Sequence, residues 1–553
     1  MDINMDEPKK SVQILAKDVK EPEVLETSPK SELTKSLIWI SFASSMLSVH
    51  HGYFIWIVYS PSVLLREYYN STSYQVITER QHRLLELAIN ISIVPLGAIF
   101  ASVIAGFLAD ILGRKGVLVI ANLSAITCAV LMSGKHLVNS VEFTFLTHLF
   151  TGLSAGLVLC IVPLYLGEIA PRNRRGGVVF IHQFCLNVGI MISQILTIKE
   201  FIGNIKGWTT AMGVAGILPL IQMFLIPCIP ETPRYLMIHK KNERQARKVL
   251  KMLRERDDVE DEIEELNIED LAEGNNKNMT PLKLIRTPSM RLQIITVAVV
   301  TAGSQLNGIT VAYFSTERIF LMMPIDASHL KYLNNAAILI MTCSVLLGMY
   351  LVDSVGRRPL YLWTFAVCII TFILLLVSLR LQVCNLEHQA WGEVSVTSPG
   401  LDKESRFLQP VIEMPLTFLQ QKIFKELSYF TSFILVLFIC AHDMGPAPLP
   451  HIVTLELFSQ SSRASAFVIL GAVLWSISFL TGISFFYLEK ALDIYSCAFF
   501  WPFCIGTLVY IYKMVPETMG QSFPDIKKSM SFKTTKRFHS RESRRRMNLK
   551  RHV

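Results

Sequence analysis

Two short stretches decide the fold, GFLADILGRKG at residues 106–116 and DSVGRRPL at residues 353–360. Each ends an apolar run with an acidic residue, a glycine and two basic residues. The residues are Asp110, Gly113, Arg114 and Lys115 in the first stretch and Asp353, Gly356, Arg357 and Arg358 in the second. Because Lys and Arg gather at the cytosolic ends of membrane spans, the motif indicates a membrane protein. Its repetition indicates two related halves.

The composition agrees with many membrane spans. Of the 553 residues, 51% are hydrophobic and 18% are charged, whereas soluble domains carry about 25% charged residues. Apolar runs of helical length recur at 36–58, 87–109, 116–134, 143–166, 176–197, 208–229, 292–315, 333–353, 360–380, 429–450, 464–486 and 494–513. Since a span needs about 20 residues, we predict an all-α membrane protein with twelve transmembrane helices in two six-helix halves.

A polar segment divides the twelve runs six and six, and Lys and Arg concentrate in the even-numbered loops. Both termini are therefore predicted to be cytosolic. Basic and acidic stretches follow one another in the polar segment, which favours a small helical bundle over a flexible linker. The predicted units are an N-terminal tail (1–35), a first half (36–229), a cytosolic linker with short helices (230–291), a second half (292–513) with a long outer loop (381–428), and a basic tail (514–553).

The remaining surface signals are weaker. Eleven Lys or Arg lie between Lys527 and Arg551. We interpret this tail as lying beside an anionic lipid leaflet, which predicts no nucleic-acid partner. Asn70-Ser71-Thr72 is a glycosylation sequon on the predicted outer side. No catalytic motif, metal-ligand spacing or cofactor motif occurs, so we predict neither an enzyme nor a cofactor.

Acidic and basic residues recur at matched span ends. Pairs of carboxylates and guanidiniums at one membrane face can lock two halves together and must separate for that face to open. The alternative is ordinary positive-inside topology, which needs the basic residues but not the acids. The residues predicted to form this cytosolic gate are Asp110, Arg114, Glu168, Arg175, Asp353, Arg357, Arg358, Glu456 and Arg463.

Seven motifs together resemble a known family. Besides the two opening stretches they are YLGEIAPRNRRGG (165–177), PETPRYL (230–236), GSQLNGIT (303–310), GPAPLPHIVTLELFSQSSRASA (445–466) and PETMG (516–520). In this order they resemble the major facilitator superfamily sugar porters, specifically the facilitative glucose/fructose transporters. His442 ahead of Gly445-Pro446, with Ser461-Ser462-Arg463, most resembles the fructose-transporting class. The resemblance implies the fold of that superfamily, with a central site that faces one side at a time.

The resemblance also implies where a sugar would bind. The family's span 5 glutamine corresponds to Gln183, and its paired span 7 glutamines correspond to Ser304 and Gln305. An asparagine of the family is replaced by Thr310, and the span 10 tryptophan by His451. The full set of candidate substrate-binding residues is Gln183, Asn187, Ser304, Gln305, Thr310, His442, His451 and Trp475. Since each lost hydrogen bond costs about 0.5–1.5 kcal/mol, these replacements indicate weakened hexose binding or another preference.

The leading hypothesis is facilitative uniport of a hexose, with fructose as one candidate, in the plasma membrane. Phe54 stands where proton-coupled porters carry an acid, which favours passive transport over coupling through the nearby His50 and His51. One alternative keeps the fold but changes the solute to an organic anion or polyol. Another is a transport-silent membrane sensor or assembly partner. The predicted partners are a monosaccharide-like solute and the lipid bilayer, and the sequence leaves the oligomeric state open.

Overall fold

The computed structural model describes residues 33–59, 80–138, 141–198, 202, 208–273, 279–394, 418–492, 498–521, 525–526 and 528–530. The helices of the first half are α1 (Lys35–Tyr59), α2 (Arg80–Val138), α3 (Val141–Ile169), α4 (Arg175–Leu196), α5 (Trp208–Val214) and α6 (Ile217–Leu225). The central helices are α7 (Glu243–Arg254), α8 (Glu260–Glu273) and α9 (Pro281–Arg286). The helices of the second half are α10 (Arg291–Gln305), α11 (Ile309–Leu321), α12 (Ala327–Val352), α13 (Arg357–Val394), α14 (Phe418–Met444), α15 (Leu449–Leu457), α16 (Gln460–Leu492) and α17 (Trp501–Met514).

The helices account for twelve spans. Within the described residues, nine helical stretches are long and apolar enough to cross a membrane. The stretch in α2 holds two spans, because Gly113 breaks the helix with φ 81° and ψ 174°. With α1 and the shorter apolar helix α17, each of the twelve apolar runs found in the sequence has helical structure within the described residues.

Three spans each consist of two helices separated by a short break. Span 6 consists of α5 and α6, span 7 of α10 and α11, and span 10 of α14 and α15. Gly308 precedes α11 with φ 89°, a conformation that favours glycine because it has no Cβ. The Gly-Pro cluster at 445–450 begins in the break of span 10, where proline lacks the N–H that a continuous helix needs.

Four predicted features fall partly or wholly outside the described residues. Helix α13 continues through Val394 and α14 begins at Phe418, so both ends of the predicted outer loop 381–428 are helical. Its middle lies outside the described residues, as do the sequon at Asn70, most of the N-terminal tail and most of the basic tail.

The two halves meet through a few helix pairs. Helix α2 packs against α16, and α4 packs against α12. Within the first half, α1 and α4 approach closely through glycines. A Cβ at Gly52 would lie 1.9 Å from the carbonyl oxygen of Leu186, and one at Gly189 would lie 2.0 Å from that of Val49. Only glycine permits this spacing, which brings α1 and α4 together beside the interface between the halves.

The central helices form a small bundle at one end of the molecule. Basic α7 and acidic α8 are joined by Arg254 and Glu262, whose Nε and Oε1 atoms lie 2.7 Å apart. Leu250 of α7 packs with Ile263 and Leu266 of α8 in a separate apolar cluster. Arg254 Nη1 also donates to the carbonyl oxygen of Ile169, at 3.1 Å. The bundle is thereby attached to the end of α3, and its charged helices agree with the predicted pairing of opposite charges.

Candidate functional site

A cavity of about 190 Å³ lies between the two halves. Its lining includes Trp56 near the end of α1 and Asn334 near the start of α12. These helix ends are opposite to the end that carries Arg114 and Arg357, which we call the arginine end. The cavity therefore lies toward the other end of the bundle. Most of its lining side chains are apolar, with a few amides and hydroxyls between them.

Two of the candidate substrate-binding residues line this cavity, Thr310 and Trp475. Gln305 is linked to it indirectly, because Ser478 lines the cavity and donates from Oγ to Gln305 Oε1, at 3.1 Å. Ser304 is buried, and its hydroxyl donates to the carbonyl oxygen of Thr301, at 2.8 Å. An aromatic ring with neighbouring neutral polar groups is suited to a hydroxylated ligand without formal charge.

A second polar group lies between the cavity and the arginine end. Gln183 Nε2 donates to Asn187 Oδ1 at 3.2 Å, and Asn187 Nδ2 donates to Asp443 Oδ2 at 2.8 Å. Asn187 belongs to α4 and Asp443 to α14, so this chain of hydrogen bonds crosses from one half to the other. Beside it, His442 Nδ1 lies 2.8 Å from Asn307 Nδ2.

Buried histidines form a third group. The ring centroids of His182 and His451 lie 5.9 Å apart across the interface, and Ser48 Oγ lies 2.7 Å from His182 Nδ1. The backbone carbonyl groups of Ala447 and Pro448 lie beside the His451 ring, which has no side-chain hydrogen-bond partner among the described residues. His51 lines the cavity, and its ring centroid lies 6.1 Å from that of Trp475. The position predicted to replace the family's tryptophan thus belongs to a cluster of imidazoles behind the cavity.

The arginine end of the first half is held by a network around Glu168. Arg114 donates to Glu168 Oε1 from Nε at 3.1 Å and from Nη2 at 2.9 Å. Thr232 Oγ1 donates to Glu168 Oε2 at 2.6 Å. Glu231 accepts from the backbone N–H groups of Arg114 and Lys115, both at 3.1 Å. Burial raises the pKa of Glu231, and the backbone N–H groups of Thr232 and Lys115 and the charge of Arg114 oppose that rise.

The second half repeats this network residue for residue. Arg357 Nη2 donates to Glu456 Oε1 at 3.2 Å, and Thr518 Oγ1 donates to Glu456 Oε2 at 2.5 Å. Glu517 accepts from the backbone N–H groups of Arg357 at 3.1 Å and Arg358 at 3.0 Å. Both networks start at a glycine with positive φ, Gly113 at 81° and Gly356 at 107°. The two arginine ends are therefore structural repeats.

Other contacts at this end cross between the halves. Asp353 Oδ2 accepts from the backbone N–H of Gly177 at 2.8 Å, and Gln460 Nε2 donates to Glu168 Oε1 at 2.9 Å. Arg463 Nη2 lies 3.4 Å from Glu269 Oε1, which ties α16 to the central bundle. Burial opposes ionisation of Glu269, but Arg234, Arg463 and Arg175 outweigh it and hold the pKa of this carboxyl below its usual range.

The remaining gate candidates make other contacts. Asp110 lies near Arg114 and Glu168. Arg175 is buried, and its Nε has no hydrogen-bond partner in the described part of the chain. The Arg358 guanidinium donates from Nη2 to the carbonyl oxygen of Tyr512, at 2.7 Å, within its own half. The structure therefore brings Asp353 and Glu168 to the boundary between the halves and leaves Arg358 away from it.

Sequence reasoning missed five residues of this site. Glu231 and Glu517 lie in the P-E-T motifs at 230–236 and 516–520, and their repetition was a signal that could have found them. The contact between Gln460 and Glu168 depends on how the halves meet. Glu269 lies in an acidic run, where nothing distinguishes it from its neighbours. Asp443 could have been found from the sequence, because a carboxyl inside an apolar run indicates a functional residue.

Replacing Asp353 by asparagine is expected to loosen the closed arginine end. The variant loses a charge-assisted acceptor for Gly177 and the 3.2 Å ion pair with Arg357. A hydrogen bond to a charged group contributes about 1.5–3 kcal/mol. We therefore expect the open population to rise by about tenfold. Alkylation of Cys160 measures this rise, because Cys160 is buried and its Sγ donates to the carbonyl oxygen of Phe467 in the other half, at 3.5 Å.

The matched control is Asp326→Asn, which removes an exposed carboxylate beside His329 at the opposite end of α12. It should leave the labelling of Cys160 unchanged. Equal labelling of Cys160 in the Asp353 variant and the unmodified protein would contradict a lock at this position.

The chain is similar in sequence to known transporters. The profile of the sugar (and other) transporter family matches residues 40–398 and 409–529. Solute carrier family 2, facilitated glucose transporter member 5 of Homo sapiens is 31% identical over 482 residues, covering 87% of this chain and 88% of its own. Member 7 of Mus musculus is 30% identical over 505 residues, covering 90% and 91%.

The fold is also found among solved structures. The proton:xylose symporter XylE bound to 6-bromo-6-deoxy-D-glucose, a major facilitator superfamily protein, aligns with a TM-score of 0.71 and 17% identity. The alignment covers 90% of this chain and 100% of that chain. The predicted all-α fold, with twelve transmembrane helices in two halves and a small helical segment between them, is confirmed.

Proposed function

The chain belongs to the sugar (and other) transporter family, and we propose that it carries a hexose down its concentration gradient by alternating access. Fructose is one candidate for that hexose. The observation that carries the proposal is the placement of one cavity between two halves whose arginine ends are joined by contacts across the boundary. A solute bound there would reach the other side only after those contacts separate.

The proposed binding site combines the cavity wall with the polar groups behind it. Thr310 and Trp475 would contact the solute directly, because both line the cavity. Gln305 would act beside Ser478, to which it is hydrogen-bonded. Gln183, Asn187, Ser304, His442 and His451 lie further from the cavity and would reach a solute only as the site closes around it.

The proposed orientation places the arginine end in the cytosol. The Lys and Arg of the even-numbered loops support this, since basic loops remain on the cytosolic side. Both termini would then be cytosolic, the central segment 230–291 would lie beneath the membrane, and the loop after span 9 would be outside. We propose the plasma membrane as the location of this multi-pass protein.

A second candidate solute is a small organic anion or another polyol. It is favoured by His451, which occupies the place of the family's span 10 tryptophan and has no side-chain hydrogen-bond partner in the described residues. A neutral imidazole has one N–H donor and one acceptor nitrogen, so it can donate to a carboxylate or accept from a hydroxyl. The indole of tryptophan has an N–H donor only. This candidate keeps the same fold and pathway.

Uptake into proteoliposomes is expected to show saturable entry of labelled fructose or glucose. Gln305→Ala and Thr310→Val should each raise the KM by about threefold to tenfold, because one hydrogen bond contributes about 0.5–1.5 kcal/mol. Thr127→Val is the matched control, since this exposed hydroxyl is hydrogen-bonded to its own helix at Leu123. It should leave uptake unchanged.

The other outcomes separate the rival functions. Saturable uptake of urate alone would replace the hexose by an organic anion. If folded protein takes up none of the three solutes, the transport proposal is wrong, and a transport-silent sensor or assembly partner takes its place.

A further inference from the structure

Asp443 is an acidic residue in the interior of a membrane span. It lies near the end of α14, directly before the break of span 10, and only 1% of its surface is exposed. We propose that Asp443 is a proton-binding site and that its protonation stabilises the form closed at the arginine end. The inference rests on the alternating access of the proposed function and adds a regulator to it.

Asp443 lies next to the cavity, on the side of the arginine end. Ile439, one helical turn earlier on α14, lines the cavity, as do Ile190 and Gln194 on α4. Asn187 lies about one turn from Ile190 toward the arginine end, where α4 begins at Arg175. The hydrogen bond from Asn187 to Asp443 therefore lies just beyond the cavity, on its arginine side.

This hydrogen bond joins the two halves. The amide nitrogen Nδ2 of Asn187 donates to Oδ2 of Asp443 at 2.8 Å, while Asn187 Oδ1 accepts from Gln183 at 3.2 Å. The second bond orients the amide so that its NH₂ group faces the carboxyl. Opening of the arginine end would part α4 from α14 at this point and let water reach Asp443.

In the described part of the chain, no positively charged group acts on Asp443. The titratable groups that feel its charge are Tyr313 on α11, Cys368 on α13 and Cys440 on α14 itself, next to which lies Cys343 on α12. The neighbouring His442 is hydrogen-bonded to Asn307. No lysine or arginine forms an ion pair with Asp443 in the portion of the chain that the structure describes.

The energy of ionisation then depends on conformation. A carboxylate without a cation inside a membrane protein is costly, so the closed form favours the neutral acid. Once hydrated in the open form, an aspartate ionises with an ordinary pKa of about 4. Closure therefore binds a proton and opening releases one. Above about pH 4, raising the pH favours the open form, and lowering the pH favours the closed form.

The test follows the open form through Cys160 in purified full-length protein in lipid nanodiscs. N-ethylmaleimide is added between pH 5.5 and 7.5, and mass spectrometry quantifies modification at each cysteine. Dividing by the labelling of the exposed Cys228 removes the intrinsic pH dependence of the thiol reaction. We expect the normalised labelling of Cys160 to rise by up to about tenfold per pH unit, as linkage to one proton allows.

Asp443→Asn keeps the shape and an acceptor for Asn187 but cannot ionise. Its normalised labelling should stay low and independent of pH. Asp443→Ser, a smaller neutral variant, serves as a second test and should also lose the pH dependence. In His442→Gln the pH dependence should remain, whatever that variant does to transport, because the neighbouring imidazole is not the titrating group.

Three results would overturn the proposal: pH-independent labelling in the unmodified protein, pH dependence retained in both Asp443 variants, or pH dependence lost in His442→Gln. The readout needs no solute. If uptake fails while the Asp443-dependent labelling persists, the proposal that the protein transports the tested solutes is wrong, and the proposal of a proton site is supported. If uptake succeeds without that labelling pattern, the proposal of a proton site is wrong, and the transport proposal is supported.

Discussion

Glu168→Ala is expected to destabilise the protein by about 3–5 kcal/mol, the usual cost of leaving one partner of a buried ion pair uncompensated. The side chains of Glu168 and Arg114 are both 0% exposed. Besides Arg114, the carboxylate accepts from Thr232 at 2.6 Å and from Gln460 at 2.9 Å. Its removal would leave a guanidinium and two other buried donors unsatisfied.

The same substitution should also open the arginine end, because Gln460 belongs to the other half. We expect a lower midpoint of thermal unfolding in detergent or nanodiscs, together with faster alkylation of Cys160. The matched control is Glu260→Ala, which breaks an ion pair with Arg247 on the exposed surface of the central bundle. Surface pairs contribute little, so this variant should unfold like the unmodified protein. Equal losses in the two variants would contradict the role assigned to Glu168.

Gly113→Ala should have the second-largest effect, about 3 kcal/mol of lost stability. Gly113 has φ 81° and ψ 174°, a region that is strained for residues with a side chain. A Cβ there would lie 2.3 Å from Glu231 Oε2 and 2.9 Å from Tyr235 Cε1. It would displace the carboxylate that accepts from the N–H groups of Arg114 and Lys115.

Gly134→Ala in the same helix is the control, because a Cβ at that position meets no atom within 4 Å. Alanine is the better helix former, so this variant should unfold at the same temperature or slightly higher. Gly356→Ala should behave like Gly113→Ala, since its Cβ would lie 2.9 Å from Glu517 Oε2. Thermal unfolding of the three variants checks this, and a stable Gly113→Ala protein would refute the turn-and-carboxylate explanation.

Much of the fold could be predicted from the sequence because the signals are local. A membrane span is recognised by its own apolar length, and the break at Gly113 by the motif around it. The opposite charges of α7 and α8 predicted their pairing, which Arg254 and Glu262 make. The extension of α13 to Val394 was not predicted, because the polar residues after 381 resemble a loop when only hydrophobicity is considered.

The candidate site was less predictable. Thr310 and Trp475 line the cavity, whereas Gln183, Asn187, His442 and His451 lie behind it in contact with one another or with other buried groups. Which face of a helix meets the cavity depends on rotation of the helix about its axis and on the neighbouring half. A single sequence contains no local signal for either.

The sequence by itself determined the twelve spans, the twofold repeat and the chemistry of the arginine end, since each follows from residues close together in the chain. Only the tertiary structure decided that Glu231 and Glu517 hold the turns at Gly113 and Gly356, that Gln460 reaches Glu168, and that Asp443 meets Asn187. These contacts all join residues that are more than 100 positions apart along the chain. They exist only because helix packing brings distant polar groups together where water is excluded, and there each buried group must find a partner.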